Sequence, residues 1–186
     1  MVCNHINIIC YTGGTCGDLI SALLDMQGAV LKSNTGKIIL PDHRIKLKKP
    51  HLFESDSIKD QYLQSVPAGT CVSSHDLDYH VRQQHNFISI TVHDEQIALW
   101  AALRFQQLHQ PHVWKEMQQH CGVNTVEQYA QALIDYSTMV ANLTDKIVAL
   151  ESIVTGQTTA IENSLGIKID DDKKTFYQNW LELQQL

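Results

Sequence analysis

The chain has 186 residues, a length that suits one compact domain better than two. Hydrophobic residues make up 44% of it and charged residues 18%, a globular composition that excludes a disordered or collagen-like protein. The 20 acidic against 14 basic residues give a net charge of -6, which argues against non-specific binding to nucleic acid or to an anionic membrane surface.

Targeting signals and disulfide patterns are not apparent. No apolar run approaches the roughly 18 residues that span a bilayer, and the start MVCNHINIICYT lacks the basic region and cleavage site of a secretory signal. The five cysteines are an odd number and none has CxxC spacing, so free thiols in a reducing cytosol are the expected state and no bound metal is expected. We therefore predict a soluble, cytoplasmic protein.

The N-terminal part predicts a strand, a glycine turn and a helix. A β-branched run over 5–12 stops at a cluster of three glycines, after which leucine and isoleucine recur at helical spacing through Leu24. The next segment, about 29–50, reads as a hairpin-like excursion, because Asn34-Thr35-Gly36 separates two short apolar runs. A basic group over 43–49 follows, and it is either a solvated loop or an anion-contacting segment.

Strands and helices alternate through the rest of the chain. Helical patterns cover 55–66, 98–108, 126–140, a segment that ends at Gly166, and a last segment from about Asp171, whereas 70–74, 87–92 and 146–150 read as strands. This alternation predicts an α/β fold, a three-layer sandwich with a mostly parallel central sheet. In such sheets ligands bind beyond the carboxyl ends of the strands, where the glycine turn, His75 and His93 would meet.

The glycine turn is the first candidate site. YTGGTCGDL, which starts at Tyr11, places three glycines between a strand and a helix, where backbone N–H groups and the positive helix end can hold a phosphate. The turn matches neither GxxxxGK[ST] nor GxGxxG. A merely tight turn is the alternative interpretation.

The order of these elements resembles the sulfotransferase-like branch of the P-loop fold, in a shortened form. In that family a turn reading approximately [K/R]SGTT cradles the 5′-phosphosulfate end of the donor, 3′-phosphoadenosine 5′-phosphosulfate. The resemblance implies that this donor is bound by the turn residues Gly13, Gly14, Thr15, Cys16, Gly17 and Asp18. Gly14 stands at the basic position and Asp18 adds a negative charge, so the cation expected to stabilise the transferred group is missing from the turn.

Three further segments carry the resemblance. VSSHDLD resembles the family's KTHLP, in which a histidine acts as general base, and His75 takes that place. A histidine, with an ordinary pKa of about 6.5, suits removal of a hydroxyl proton near neutrality. FISITVHDEQIALWAALRF resembles the family's IYVxRNPxDxxxSxxxxF, in which the arginine and the serine bind the donor's 3′-phosphate. In this chain His93 occupies the arginine position and Ala101 lies near the serine position. Arg104, about one helical turn further on, is a candidate to replace them. The segment 146–185 resembles the family's closing strand and helices.

The leading interpretation is a sulfotransferase-like protein. It would transfer a sulfuryl group from the phosphoadenosine donor to a hydroxyl acceptor that the sequence does not identify, with His75 as base. Two alternatives stay open: a P-loop nucleotide or nucleoside kinase, for which Asp76 and Asp94 are the tempting metal carboxylates, and a catalytically silent scaffold or interaction protein of the same fold. The neutralised motif positions favour the silent protein. No nucleic-acid or membrane partner is expected, and the oligomeric state stays open.

Overall fold

A computed structural model describes residues 6–40 and 55–184 of the chain. The strands are β1 (Asn7–Cys10), β2 (Val30–Leu31), β3 (Ile38–Ile39), β4 (Cys71–Ser74), β5 (Ile88–Thr91) and β6 (Ile147–Ala149). The helices are α1 (Gly17–Leu24), α2 (Asp56–Ser65), α3 (Leu77–Arg82), α4 (Glu95–Leu108), α5 (Pro111–Cys121), α6 (Val126–Val140), α7 (Leu150–Val154), α8 (Thr158–Leu165) and α9 (Asp171–Gln184).

Four strands form one parallel sheet in the order β4-β1-β5-β6. From β1 the chain crosses to β4 on one side and then returns to β5 on the other, so the winding reverses beside β1. The predicted α/β class and parallel sheet are therefore confirmed. Open parallel sheets bind ligands beyond the strand carboxyl ends at such a reversal.

Apolar side chains cover both faces of the sheet. Ile9 belongs to a core cluster that includes Leu23 of α1 and Ala102 of α4. Its neighbour Ile8 belongs to a second cluster, with Leu63 of α2. Because successive strand residues face opposite sides, these two clusters place helices on both faces and give a coarse α/β sandwich.

The predicted hairpin is present between the first helix and α2. β2 and β3 pair antiparallel, and the Asn34-Thr35-Gly36 segment joins them, with Gly36 at φ 60°. Positive φ is a conformation that glycine adopts at little cost, as a tight turn requires. The basic group over 43–49 and the end of the predicted excursion at residue 50 lie outside the described residues.

Two helices were not predicted from the sequence. α3 is short, and Asp76 begins it by accepting a hydrogen bond from the Tyr79 N–H at 3.1 Å. α5 starts at Pro111 and contains no fully buried residue, and its apolar residues Val113, Trp114 and Met117 pack half-buried against the core. The single helix predicted to end at Gly166 is two helices, α7 and α8, separated by a turn, and Gly166 ends α8 in the left-handed conformation as expected. The remaining predicted helices and strands are confirmed within a few residues.

Four cysteines lie in the described part of the chain, namely Cys10, Cys16, Cys71 and Cys121, and no two of these four are joined by a disulfide. No helix there has the length and apolar character needed to cross a bilayer. Within the same residues no three histidine, cysteine or acidic side chains are grouped as metal ligands.

A polar cluster is buried beside β4. Lys59 Nζ lies 2.5 Å from Asp76 Oδ2, and both side chains are at most 1% exposed. His80 Nε2 lies 2.7 Å from the Ser74 hydroxyl, and His80 Nδ1 lies 3.1 Å from His85 Nδ1. An N–H···N bond between two imidazoles requires one unprotonated nitrogen. Burial, followed by the neighbouring His85, lowers the pKa of His80 to about 3.

This histidine pair should make the fold sensitive to acid. His80 stays neutral in the folded protein, whereas the unfolded chain takes up a proton near pH 6.5, so stability is full above that pH and is lost as the pH falls towards 3. From pH 8 to pH 5 this one group should lower the free energy of unfolding by about 2 kcal/mol. Urea unfolding at a series of pH values measures the loss. A His80 ring resonance that titrates near pH 6.5 in the folded protein would contradict the prediction.

Candidate functional site

A cavity of about 150 Å³ lies at the carboxyl ends of β1 and β4. Most of the glycine turn lines it, namely Gly13, Gly14, Cys16, Gly17 and Asp18. His75, which directly follows β4, lines it as well. The structure therefore brings the predicted base and most of the predicted donor-binding residues to one place.

The glycines allow the turn to pack directly on its neighbours. Gly14 has φ 91°, and a Cβ there would overlap the Ala101 carbonyl oxygen of α4. A Cβ at Gly13 would overlap the Phe105 ring, and one at Gly17 would overlap the Tyr11 ring. Any side chain at these three positions would thus displace the turn or its packing partners, whether or not a ligand is bound.

Two of the other three turn residues, Thr15 and Cys16, are held by hydrogen bonds within the turn. The Thr15 hydroxyl donates to the Thr12 carbonyl oxygen at 2.8 Å, and Thr15 is buried away from the cavity lining. The Cys16 thiol donates to the Gly14 carbonyl oxygen at 3.6 Å. Burial raises the pKa of Cys16 to about 11. The thiol therefore stays protonated near neutrality and is a poor nucleophile.

The start of α1 combines N–H donors with a carboxylate. Gly17 and Asp18 are the first two residues of the helix, where backbone N–H groups have no acceptor within the helix. The Tyr11 hydroxyl donates to Asp18 Oδ1 at 2.7 Å. The Asp18 charge complements the positive helix end, so a bound anion would share that end with a carboxylate.

Replacing Asp18 with asparagine should tighten anion binding. The amide oxygen can still accept from Tyr11, while the negative charge beside the turn is lost, a change of about 1–2 kcal/mol or roughly 5- to 30-fold in affinity. Calorimetric titration with inorganic pyrophosphate at low salt measures the gain. Asp135→Asn, on the exposed surface of α6, is the matched control and should change nothing. Equal or weaker binding by Asp18→Asn would contradict the prediction.

Two cations from other parts of the chain line the same cavity, Arg104 of α4 and Lys37 of the hairpin. The Arg104 guanidinium carbon lies 5.7 Å from the ring centroids of both Trp100 and Trp180. Its Nε–H donates to Gln184 Oε1 at 2.7 Å. The helix α4 and the hairpin thus each bring one positively charged side chain to the cavity lining.

Trp180 lines the cavity and is fully buried. Its indole Nε1 has no hydrogen-bond acceptor within the described ranges and is closed to solvent. Buried polar groups in folded proteins are nearly always paired with protein, water or ligand. Because this N–H has no accessible surface, a ligand in the cavity would reach it only after a rearrangement of the surrounding packing.

The hydrogen bonding of His75 defines its tautomer. His75 Nδ1 lies 2.7 Å from the Tyr11 carbonyl oxygen, and a carbonyl oxygen can only accept, so Nδ1 carries the hydrogen. In the neutral ring Nε2 is then the unprotonated nitrogen. The ring also packs edge-on against Tyr11, with centroids 4.5 Å apart. This tautomer is the one in which Nε2 can act as a base.

The structure does not bring His93 to the cavity lining. His93 is exposed after β5, and its backbone N–H and that of Asp94 donate to Glu151 Oε1 at 2.6 and 2.9 Å. Lys37 and Trp180 line the cavity although the sequence analysis did not single them out as site residues. Lys37 directly follows the predicted hairpin turn, which was a usable signal. For Trp180 the sequence offered no signal beyond its position in the last predicted helix.

Comparison of the chain with protein-family models, with curated protein sequences and with solved structures gave no match.

Proposed function

We propose that the cavity binds the phosphate or sulfate end of a nucleotide-type ligand, 3′-phosphoadenosine 5′-phosphosulfate, and that the protein is a sulfotransferase-like transferase acting on a hydroxyl acceptor. The observation that carries the proposal is the convergence of donors on one small cavity. Gly17 and Asp18, which begin α1, line this cavity together with the cationic residues Arg104 and Lys37. Such a set matches an anion rich in oxygen acceptors.

The residues present fit the charged end of that donor. A cavity of about 150 Å³ is smaller than the roughly 300–1,000 Å³ of sites that enclose drug-sized ligands, so it suits a terminal group rather than a whole nucleotide. When bound, the donor would supply the sulfuryl group. Arg104 would hold the negative charge of the donor's anionic end, in place of the basic residue that the turn lacks.

His75 would act on the acceptor. Its Nε2 would take the hydroxyl proton while the acceptor oxygen forms a bond to sulfur, and the bond between sulfur and the bridging oxygen breaks towards the bisphosphate product. The hydrogen bond from Nδ1 to the Tyr11 carbonyl holds the ring in the tautomer that this step needs. The same bond would stabilise the imidazolium that results.

Sulfuryl transfer is favoured over the kinase alternative by the engagement of two carboxylates. Asp76 Oδ2 pairs with buried Lys59, and its Oδ1 accepts from the Tyr79 N–H. Asp94 Oδ1 accepts from the N–H groups of Gln96 and Ile97 at the start of α4. Both of the metal carboxylates that the kinase alternative requires are thus engaged in holding local structure.

A catalytically silent protein of the same fold is the second candidate function. The observation that favours it is Asp18, whose carboxylate lies in the first turn of α1 and lines the cavity. A carboxylate at this point repels a bound anion.

Calorimetric titration with 3′-phosphoadenosine 5′-phosphate, beside ATP with and without magnesium, tests the proposal. We expect binding of the bisphosphate in preference to ATP. We also expect His75→Ala to keep this affinity within about two-fold while transfer of labelled sulfate to a panel of phenols and sugars falls by roughly 100-fold or more, the contribution of a general base. A preference for ATP with magnesium would replace the proposal by the kinase. No binding of any nucleotide would replace it by the silent protein.

A further inference from the structure

We infer that Gln184, near the end of α9, is a positioning residue that holds the Arg104 guanidinium at the cavity and joins it to the hairpin. The inference rests on the proposed function, because it assigns a role in anion binding at that site. Gln184 does not line the cavity. Its effect on a ligand would therefore pass through Arg104.

Both ends of the Gln184 amide are engaged. Oε1 accepts from Arg104 Nε–H at 2.7 Å, and Nε2 donates to the Trp180 carbonyl oxygen at 3.1 Å. These two partners have opposite requirements, since Nε–H can only donate and the carbonyl can only accept. The orientation of the amide is thus determined, and with it the direction of the acceptor that Arg104 meets.

The remaining contacts of Arg104 leave its terminal nitrogens for a ligand. The guanidinium lies near two indoles, Trp100 and Trp180, with 5.7 Å to each ring centroid. Within the described residues, Nε is the guanidinium nitrogen that has a hydrogen-bond acceptor. The two Nη groups, with four N–H donors, are the part of arginine that binds phosphate or sulfate in a bidentate manner.

The hairpin rests on the same glutamine. Gly36, at φ 60°, has no side chain, and a Cβ there would overlap Gln184 Nε2. It would also lie 3.3 Å from Leu183 Cβ. The next residue, Lys37, lines the cavity. Gln184 therefore lies between the segments that supply the two cations, and a change at Gln184 should reach both.

Calorimetric titration of the full-length protein with inorganic pyrophosphate tests this role of Gln184. Gln184→Met keeps the length of the side chain and removes both hydrogen bonds, and we expect it to weaken binding roughly 5- to 20-fold, as for the loss of one positioned hydrogen bond. Gln178→Met, an exposed glutamine of the same helix, should bind like the unchanged protein. In an Arg104→Ala background, Gln184→Met should change affinity by less than about two-fold, because its effect passes through Arg104.

A second measurement keeps this inference separate from the proposed function. In the unchanged protein the Arg104 Nε–H resonance should be protected from exchange with water, and in Gln184→Met it should exchange like that of a solvated arginine. Pyrophosphate binding that Gln184→Met leaves unaltered would overturn the inference and leave the proposed function standing. Protection of Nε–H that Gln184→Met leaves unaltered would overturn the inference as well. An unchanged protein that binds no pyrophosphate would overturn the proposed function and, with it, this role for Gln184.

Discussion

Replacing Lys59 with methionine is expected to destabilise the protein by about 3–5 kcal/mol, because removal of one partner leaves a buried charge uncompensated. Lys59 is fully buried and its Nζ lies 2.5 Å from Asp76 Oδ2, and it also lies 4.8 Å from the centroid of the Tyr79 ring. Thermal unfolding at pH 7 measures the loss of stability. In a domain of this size each kcal/mol lowers Tm by roughly 2–4 °C. Since Asp76 directly follows His75, the change should also disturb the candidate base.

The exposed ion pair between Lys174 and Asp171, with 3.7 Å between Nζ and Oδ1, provides the matched control, since the Arg82–Asp56 pair shares Asp56 with Lys59. Lys174→Ala should cost less than about 1 kcal/mol, as surface pairs do. Lys59→Met combined with Asp76→Asn should recover part of the loss, because the uncompensated charge is then removed. A cost for Lys59→Met no larger than that of Lys174→Ala would show that the buried pair contributes little.

Replacing Arg104 with alanine is expected to weaken binding of 3′-phosphoadenosine 5′-phosphate by roughly 10- to 150-fold, the value of about 1.5–3 kcal/mol for a hydrogen bond to a charged group. Arg104 lines the cavity beside the glycine turn and brings a positive charge to it. Calorimetry at low and high salt measures the effect, and the unchanged protein should lose more affinity with salt than the variant does.

Arg82→Ala serves as control, because it removes the same charge from α3, away from the cavity lining. Circular dichroism should show that both variants keep the fold of the unchanged protein. This check is needed because Arg104 also packs near Trp100 and Trp180. Arg104→Lys should retain part of the affinity, since lysine keeps the charge but not the fork of donors. Equal affinities of Arg104→Ala and Arg82→Ala would remove Arg104 from the site.

Most of the fold could be predicted because its elements follow strong local patterns. Ile88–Thr91 reads as a buried β-branched strand and is one. The spacing of Ala98, Ala102 and Phe105 predicts α4, and the structure buries all three. α5 was missed although Pro111 at its start and Gly122 at its end are recognised boundary signals, because the apolar residues between them are few and separated by polar ones. α3 was missed because it is only six residues long.

Only those parts of the site that directly follow a strand could be predicted from the sequence. The glycine turn and His75 lie at the ends of adjacent strands, and strand order alone brings them together. His93 follows β5, but its backbone is held by Glu151 and it does not line the cavity. Lys37 and Trp180 reach the cavity through the packing of the hairpin and α9. The hairpin turn was a local signal for Lys37, but no periodicity or motif in a single sequence reports which surface the hairpin or α9 packs against.

The parallel sheet also has a consequence for synthesis on the ribosome. Asn7 pairs with Cys71, and Ser89 pairs with Ile147, so each pairing must close a long loop before it contributes to stability. The final strand, β6, emerges only after α6 is complete. A nascent chain that ends before Ile147 would present β5 as an open sheet edge, and such edges recruit other chains. We expect these incomplete chains, rather than the finished protein, to be the form that aggregates during expression.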